Sequence, residues 1–199
     1  MHDGSPPDDQ ELVRASLRDP AAFASIVRRY EPPLGRYLRR LLGWNSQQIE
    51  DVLQEVFLKA YVNLNDYDPT RLFSPWIYRI AHNEAISLLR KRRVEPRLIS
   101  GEDGFLLLEQ LGDRTDARKD IDAARLEENL RIAIAALDGK YREVIVLRYL
   151  EDKSYDEIAD ILHLPMGTVA TLVSRGKQRL RKALEALDGE PAPMSGKTA

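Results

Sequence analysis

The sequence contains no cysteine among its 199 residues. This absence excludes disulfides, thiolate zinc sites, iron–sulfur clusters and cysteine nucleophiles, and it suits a reducing compartment. Long apolar runs are also missing, because the longest uncharged run, 161–174, is interrupted by Pro165 and is shorter than the roughly 18 residues of a membrane span. The N-terminus lacks the basic end and apolar stretch of a signal peptide. We therefore predict a cytoplasmic protein with no membrane insertion.

Histidine is scarce as well. The three histidines are His2, His82 and His163, and none lies at the spacing of a metal site or a catalytic triad. The sequence also has no G-x-x-x-x-G-K loop and no G-x-S-x-G elbow. These absences predict a protein that is not an enzyme and that uses no metal and no cofactor.

Charge is nearly balanced over the whole chain but strongly segregated along it. The formal net charge is −2, which by itself argues against nucleic-acid binding. Segment 71–100 has seven basic and two acidic residues, and segment 165–184 has five basic residues and no acid. Segment 102–128, between them, has nine acids and four bases. Two basic blocks on predicted helices favour nucleic-acid binding over the alternative of solvated helix faces.

Apolar residues recur at helical spacing, and no convincing alternating strand pattern occurs. The predicted fold is all-α, with two small helical domains at 10–95 and 122–187. A flexible acidic linker is predicted at 96–121, where glycines and acids interrupt the periodicity. The ends, 1–9 and 188–199, are predicted to be disordered.

The end of the second domain has the pattern of a helix-turn-helix. A capping box, Ser154 to Glu157, opens a short helix, the turn His163–Gly167 follows, and a final helix begins near Thr168. One side of that helix presents groups that can donate to phosphates and base edges, with further charges beside them. The predicted DNA-binding residues are Thr168, Thr171, Ser174, Arg175, Lys177, Gln178, Arg179 and Arg181.

Three motifs together resemble the bacterial sigma-70 family. The segment 51–58, DVLQEVFL, resembles its most typical stretch, and 76–83, WIYRIAHN, followed by the basic run 90–93, resembles its promoter-melting helix. The segments YDEIA and GTV at 155–159 and 167–169 resemble its helix-turn-helix. The two-domain arrangement resembles the extracytoplasmic-function (group 4) subfamily. The resemblance implies a −10-reading and melting domain, a −35-reading domain and no enzymatic activity.

The resemblance also implies partners. These are the RNA polymerase core, through its β′ clamp helices and β flap, promoter DNA and an anti-sigma factor; the free chain is expected to be a monomer. The implied core-binding residues are Asp51, Gln54, Glu55 and Leu58, which form a stripe at i, i+3, i+4 and i+7 facing away from the core. An acidic stripe with one leucine suits a basic partner helix with an apolar spot.

The implied −10 site lies on the fourth helix and the loop before it. Its residues are Tyr67, Phe73, Trp76, Arg79, Asn83, Arg90, Lys91, Arg92 and Arg93. The aromatic rings are expected to stack on flipped bases, with Trp76 equally suited to the core, and the basic run is expected to hold phosphates. Ser87 stands where similar proteins carry an acid, and Gly176 is expected to let the last helix bend.

Two expectations concern the whole chain. In the free chain, the acidic linker and the basic blocks are expected to hold each other closed. The linker island Phe105–Leu108 is open to two interpretations, a segment that threads into the polymerase channel or a simple spacer.

Two other classes of protein, a dimeric helix-turn-helix repressor and an anti-sigma adaptor, fit the sequence less well, because they leave the basic fourth helix unexplained.

Overall fold

The computed structural model describes residues 8–43, 46–94 and 119–188, and the side chains of those ranges apart from 92–94, 119–125, 127 and 188. All regular elements in these ranges are helical, which confirms the all-α prediction. The predicted island Phe105–Leu108 lies outside the described residues. The helices are α1 (Asp9–Arg18), α2 (Phe23–Leu42), α3 (Ser46–Val62), α4 (Phe73–Val94), α5 (Lys119–Ala135), α6 (Gly139–Ile145), α7 (Tyr155–Leu162) and α8 (Met166–Asp188).

Helices α1 to α4 form the first helical group. Asp8 caps α1 in a reciprocal capping box with Glu11, and Gly43 ends α2 in the left-handed conformation at φ 66°. Helix α2 runs through Pro32 and Pro33 as one element. Its apolar stripe continues past the prolines into the core against α3 and α4, and this burial outweighs the lost backbone hydrogen bonds.

Helices α5 to α8 form the second group. Ser154 caps α7 in the predicted capping box with Glu157, and His163 ends α7 in the left-handed conformation at φ 51°. Helix α8 then packs its apolar face against α5, α6 and α7. This arrangement confirms the helix-turn-helix geometry.

A π-helical segment, Val146–Leu150, continues α6 and was not predicted. After it, the backbone N–H of Glu151 donates to the Val146 carbonyl at 3.1 Å, and that of Lys153 donates to the Leu147 carbonyl at 2.9 Å. Asp152, between them, adopts a left-handed conformation at φ 50°. These bonds form a tight turn, 151–153, that brings the side chains of Glu151 and Lys153 onto the first helical group.

None of the helices in the described part of the chain has the length and apolar character required to cross a bilayer.

Gly176 lies where α8 crosses α6. A Cβ atom at this position would be 2.9 Å from Cγ1 and 3.2 Å from Cδ1 of Ile145. The glycine therefore permits close approach of two helices, which is a different reason from the bend expected from the sequence.

We expect Gly176→Ala to lower the free energy of unfolding by about 1 kcal/mol. Overpacking costs about 1–3 kcal/mol, and the better helix propensity of alanine offsets up to about 1 kcal/mol of that. Urea unfolding measures the change. Gly167→Ala is the matched control, because nothing lies within 4 Å of a Cβ there. The penalty should disappear in an Ile145→Ala background, and equal effects at 167 and 176 would contradict the close-approach explanation.

Candidate nucleic-acid interface

The outer face of α8 carries all eight residues predicted to bind duplex DNA, and all eight are exposed. The opposite face is buried through Val169, Val173 and Gly176, so helical geometry separates the two sets. Thr171 donates to the Gly167 carbonyl at 2.9 Å, and Arg181 pairs with Glu185 at 2.8 Å. The cationic side is therefore continuous and open to solvent.

A shallow cleft between α6 and α8 adds two residues that the predicted site did not include. It is lined by Tyr141, Arg175, Gln178, Arg179 and Lys182. Arg179 lies over the Tyr141 ring at 4.6 Å and pairs with Asp138 at 3.1 Å. Tyr141 thus fixes a predicted DNA-binding arginine by a cation–π contact, which sequence spacing alone cannot show because the two residues lie on separate helices, α6 and α8.

The outer face of α4 presents Asn83, Arg90 and Lys91 to solvent, while Ser87 is half-buried. The side chains of Arg92 and Arg93 lie outside the described residues. Arg79, predicted on the same face, is half-buried and pairs with Asp160 of α7 at 3.0 Å. The predicted −10 face is therefore only partly open in this conformation.

The aromatic residues at the start of α4 form one packed cluster. The ring centroids of Tyr67, Phe73 and Trp76 lie 5.3–5.6 Å apart. Phe73 is 2% and Tyr67 6% exposed, and the Tyr67 hydroxyl donates to the Arg71 carbonyl. Burial also raises the pKa of Tyr67. These two rings are therefore packing residues of the loop, and the expectation that they stack on bases has no support from their positions.

Trp76 is the one member of that cluster that remains half-exposed. It lines a cleft of about 260 Å³ whose other walls are charged or loop residues. The lining residues are Asp66, Tyr67, Asp68, Arg71, Leu72, Trp76, Arg79 and Asp160. The cleft therefore combines an aromatic edge and two arginines, which are groups suited to a base and its phosphate, with three carboxylates, of which Asp68 and Asp160 pair with the arginines in this conformation.

The predicted core-binding stripe lies on the solvent side of α3. Asp51, Gln54, Glu55 and Leu58 are all exposed, and the apolar exposure continues through Tyr61 and Val62. Behind the stripe, Lys59 of α3 forms an ion pair with the buried carboxylate of Glu84 on α4. The apolar extension was missed, because the motif that carried the prediction ends at Leu58.

The two helical groups contact each other through the turn 151–153. The Glu151 carboxylate is 3% exposed; it accepts from Arg40 of α2 at 2.7 Å and from the Tyr78 hydroxyl of α4 at 2.9 Å. Lys153 donates to Ser74 Oγ at 2.6 Å and lies 4.3 Å from the centre of the Tyr78 ring. Burial, and then Glu151, raise the pKa of Tyr78.

A second contact joins α7 to α4 and the preceding loop. Oδ1 of Asp160 accepts from Arg79 at 3.0 Å and from Arg71 at 3.4 Å. The acidic linker expected to close the chain lies mostly outside the described residues. The contacts that close the described part come instead from Glu151, Lys153 and Asp160 of the second group.

Comparison with known proteins identifies both groups. Residues 26–95 match the family description "Sigma-70 region 2", and residues 127–180 match "Sigma-70, region 4". The chain is 38% identical to the ECF RNA polymerase sigma factor SigW of Bacillus subtilis, over 89% of this chain and 97% of that protein. The chain belongs to the sigma-70 family. It is an extracytoplasmic-function sigma factor, which directs RNA polymerase to promoters and is not an enzyme.

Other relatives agree with this assignment. The ECF sigma-E factor of Escherichia coli K12 is 32% identical over 94% of this sigma factor and 95% of its own length. The solved structure of CnrH in complex with the cytosolic domain of CnrY superposes with a TM-score of 0.66 at 28% identity, covering 89% of this chain and 97% of that one. RpoE of Bartonella quintana, bound to the anti-sigma factor NepR, has a TM-score of 0.63 at 24% identity, covering 82% and 96%, and supports the fold.

Two titratable groups lie where the two regions of this sigma factor meet. His82 on α4 contacts the Tyr37 hydroxyl at 3.2 Å, and burial followed by the nearby His163 lowers its pKa from 6.5 to about 4. Burial, and then Glu143 on α6, raise the pKa of Tyr37, and burial raises the pKa of Glu143 itself from 4.5 to about 7. The native state therefore disfavours a charge on either group.

We expect these two groups to oppose each other as the pH falls from about 7 to about 5. Glu143 binds a proton in the native state at a higher pH than in the unfolded state, so its protonation adds about 1–2 kcal/mol to the free energy of unfolding. His82 binds a proton in the unfolded state at a higher pH than in the native state, so its titration removes about 1–2 kcal/mol. The stability of the wild type should stay nearly flat in this window. Urea unfolding of His82→Gln should then show stability rising as pH falls, and Glu143→Gln should show it falling. Parallel pH profiles for the two variants would contradict the assignment.

Proposed function

We propose that the first group, α1–α4, binds core polymerase and reads the −10 element, and that the second group, α5–α8, reads the −35 element, with residues 96–121 as the linker. The exposed, predominantly cationic outer face of α8 is the observation that carries this division. A helix with that face, held behind a capped α7 and a turn, has the shape that enters a major groove.

For the −35 element, the proposed contacts divide by chemistry. Arg175 and Gln178 can read base edges, because a guanidinium or a side-chain amide makes paired hydrogen bonds to a base. Lys177 and Arg181 supply charge for phosphates, which orient the protein but carry little sequence information. Arg179 is fixed over Tyr141 and is therefore held in a defined position before DNA arrives.

For the −10 element, the proposed site is the cleft at Trp76 together with the outer face of α4. Extruding a base from the stack costs a few kcal/mol, which stacking on Trp76 and hydrogen bonds to Asn83 would offset. Arg90 and Lys91 lie farther along the exposed face and suit the backbone of the melted strand. The basic residues Arg92 and Arg93 belong to the same proposal on sequence grounds.

For the polymerase, the proposed contact is the stripe Asp51, Gln54, Glu55 and Leu58, docked on the β′ clamp helices, with region 4 near the β flap. Leu58 is 56% exposed and Val62, one turn on, is 66% exposed. Exposed apolar side chains beside carboxylates are suited to a helix that carries both a basic and an apolar stripe. Tyr61 and Val62 extend this proposed surface.

We also propose a cytoplasmic location and regulation by an anti-sigma factor. The support is that CnrH and RpoE, which share this fold, were solved as complexes with the cytosolic domain of CnrY and with the anti-sigma factor NepR.

The proposed assignment of −35 reading to α8 and of −10 reading to α4 predicts that each function can be impaired without the other. Arg175→Ala should weaken dependence on the −35 element, and Asn83→Ala should weaken melting, each by about tenfold if one bidentate contact of about 1–3 kcal/mol is lost. Transcription from a promoter selected out of a randomised library measures the first, and permanganate reactivity of unpaired thymines measures the second.

Core binding should stay unchanged in both variants, and Arg14→Ala, an exposed change on α1, is the control. A loss of core binding in Arg175→Ala or Asn83→Ala would show that the division is wrong.

The α3 stripe predicts a different defect. Glu55→Ala and Leu58→Ala should each weaken binding to core polymerase by about tenfold, or about 1–2 kcal/mol, because each removes a side chain from the proposed interface. Fluorescence anisotropy of labelled sigma factor titrated with core measures the affinity. Glu50→Ala removes an exposed carboxylate from the same helix outside the stripe and should bind normally. Equal losses for residues 50 and 55 would mean that net charge, and not the stripe, governs docking.

A further inference from the structure

We propose that Asp160 competes with promoter DNA for Arg79 and Arg71, so that the closed free chain withholds the Trp76 cleft of its −10 site until the two regions separate. The proposal rests on the proposed function, because it takes α4 as the helix that contacts the melted strand. It concerns a contact within the chain, between α7 of region 4 and the α4 face of region 2.

The geometry of the contact supports competition. One carboxylate oxygen of Asp160 accepts from two guanidinium groups, at 3.0 Å from Arg79 and 3.4 Å from Arg71. Both arginines line the Trp76 cleft, and Asp160 forms another wall of it. A carboxylate between two arginines occupies the position in which a phosphate oxygen would be bound. DNA in the cleft and α7 over it therefore exclude each other.

A second contact explains why α7 is held over the cleft. The turn 151–153 directly precedes the α7 cap, and its Glu151 carboxylate is 3% exposed between Arg40 and Tyr78. A carboxylate removed from water is stable only with such partners, and both come from region 2. Lys153 fixes the same turn on Ser74. The turn therefore fixes the start of α7, and Asp160 near the end of that helix is placed against Arg79.

The closed chain leaves its other two faces open. All four core-binding candidates on α3 and all eight −35 candidates on α8 are exposed, whereas Arg79 has a side-chain exposure of 21%. Core polymerase and −35 DNA can thus engage the closed chain, and the Trp76 cleft of the −10 site becomes available only on separation. When only the open molecules present a binding site, the apparent affinity for DNA is the intrinsic affinity multiplied by the fraction of molecules that are open.

The first experiment measures separation directly. The chain has no cysteine, so Gln47→Cys and Ala186→Cys, both at exposed positions, accept one spin label each. Pulsed electron paramagnetic resonance should show one narrow distance distribution in the otherwise wild-type full chain. Adding Asp160→Asn or Glu151→Gln should broaden it toward longer distances. Asp156→Asn, the same charge change at an exposed position on α7, should leave it unchanged.

The second experiment measures competition. The probe is a fluorescein-labelled, mixed-sequence single-stranded 15-nucleotide DNA, followed by anisotropy without polymerase. Asp160→Asn should tighten binding by about 3- to 10-fold, because removing the competing carboxylate raises the accessible fraction. Asp156→Asn is again the control. In a background that carries both Arg71→Gln and Arg79→Gln, Asp160→Asn should have no effect on affinity, because both guanidinium groups that the carboxylate holds are then absent.

The outcomes separate this proposal from the proposed function. Unchanged distances in both Asp160→Asn and Glu151→Gln overturn the latch, and run-off transcription with core polymerase then still reports whether the −10 assignment is sound. If the distances between the spin labels lengthen but the affinity for the DNA probe does not rise, the proposed competition between Asp160 and DNA is overturned. An equal gain from Asp160→Asn in the background that carries both Arg71→Gln and Arg79→Gln also overturns it, since DNA would then be gaining from charge alone.

Discussion

The contact between the two regions contains one buried carboxylate that constrains it strongly. Glu151 is 3% exposed, and its partners Arg40 and Tyr78 belong to the other region. Removing a charge from water is expensive unless partners compensate it, so Glu151 can stay buried only while both partners remain in place. The π-helical segment before Glu151 and the left-handed Asp152 after it are the local distortions that aim this side chain. A regular helix through the same residues would direct it elsewhere.

The electrostatic pattern of the sequence acquires a physical meaning from this contact. A chain with a net charge of −2 concentrates its positive charge in local cationic faces. The face on α8 is open, whereas on α4 Arg79 is neutralised by Asp160 and the exposed positive charge lies farther along, at Arg90 and Lys91. Attraction between exposed charges fades over about 8–10 Å at physiological salt, so the local arrangement decides which DNA is bound.

Features that depend on neighbouring residues were predictable from the sequence, and features that depend on distant residues were not. The α7 capping box, the Gly43 helix end and the exposed faces of α3 and α8 follow from spacing within one helix. The burial of Phe73, the fit of Gly176 against Ile145 and the pairing of Asp160 with Arg79 each join separate helices. Sequence periodicity says which side of a helix is apolar but not which residue lies opposite it.

Burial of the aromatic cluster also limits how region 2 can read a promoter. With Phe73 and Tyr67 packed inside the loop, Trp76 is the remaining half-exposed ring of the cluster. Arg90 and Lys91 suit phosphates, which are alike at every step of the strand. Under the proposed assignment of −10 reading to α4, few groups are then left for sequence discrimination: the edge of Trp76, the Asn83 amide and the half-buried Ser87 hydroxyl. Packing of the loop rings on one another keeps the Trp76 edge in a fixed position, so less ordering is required when a base arrives.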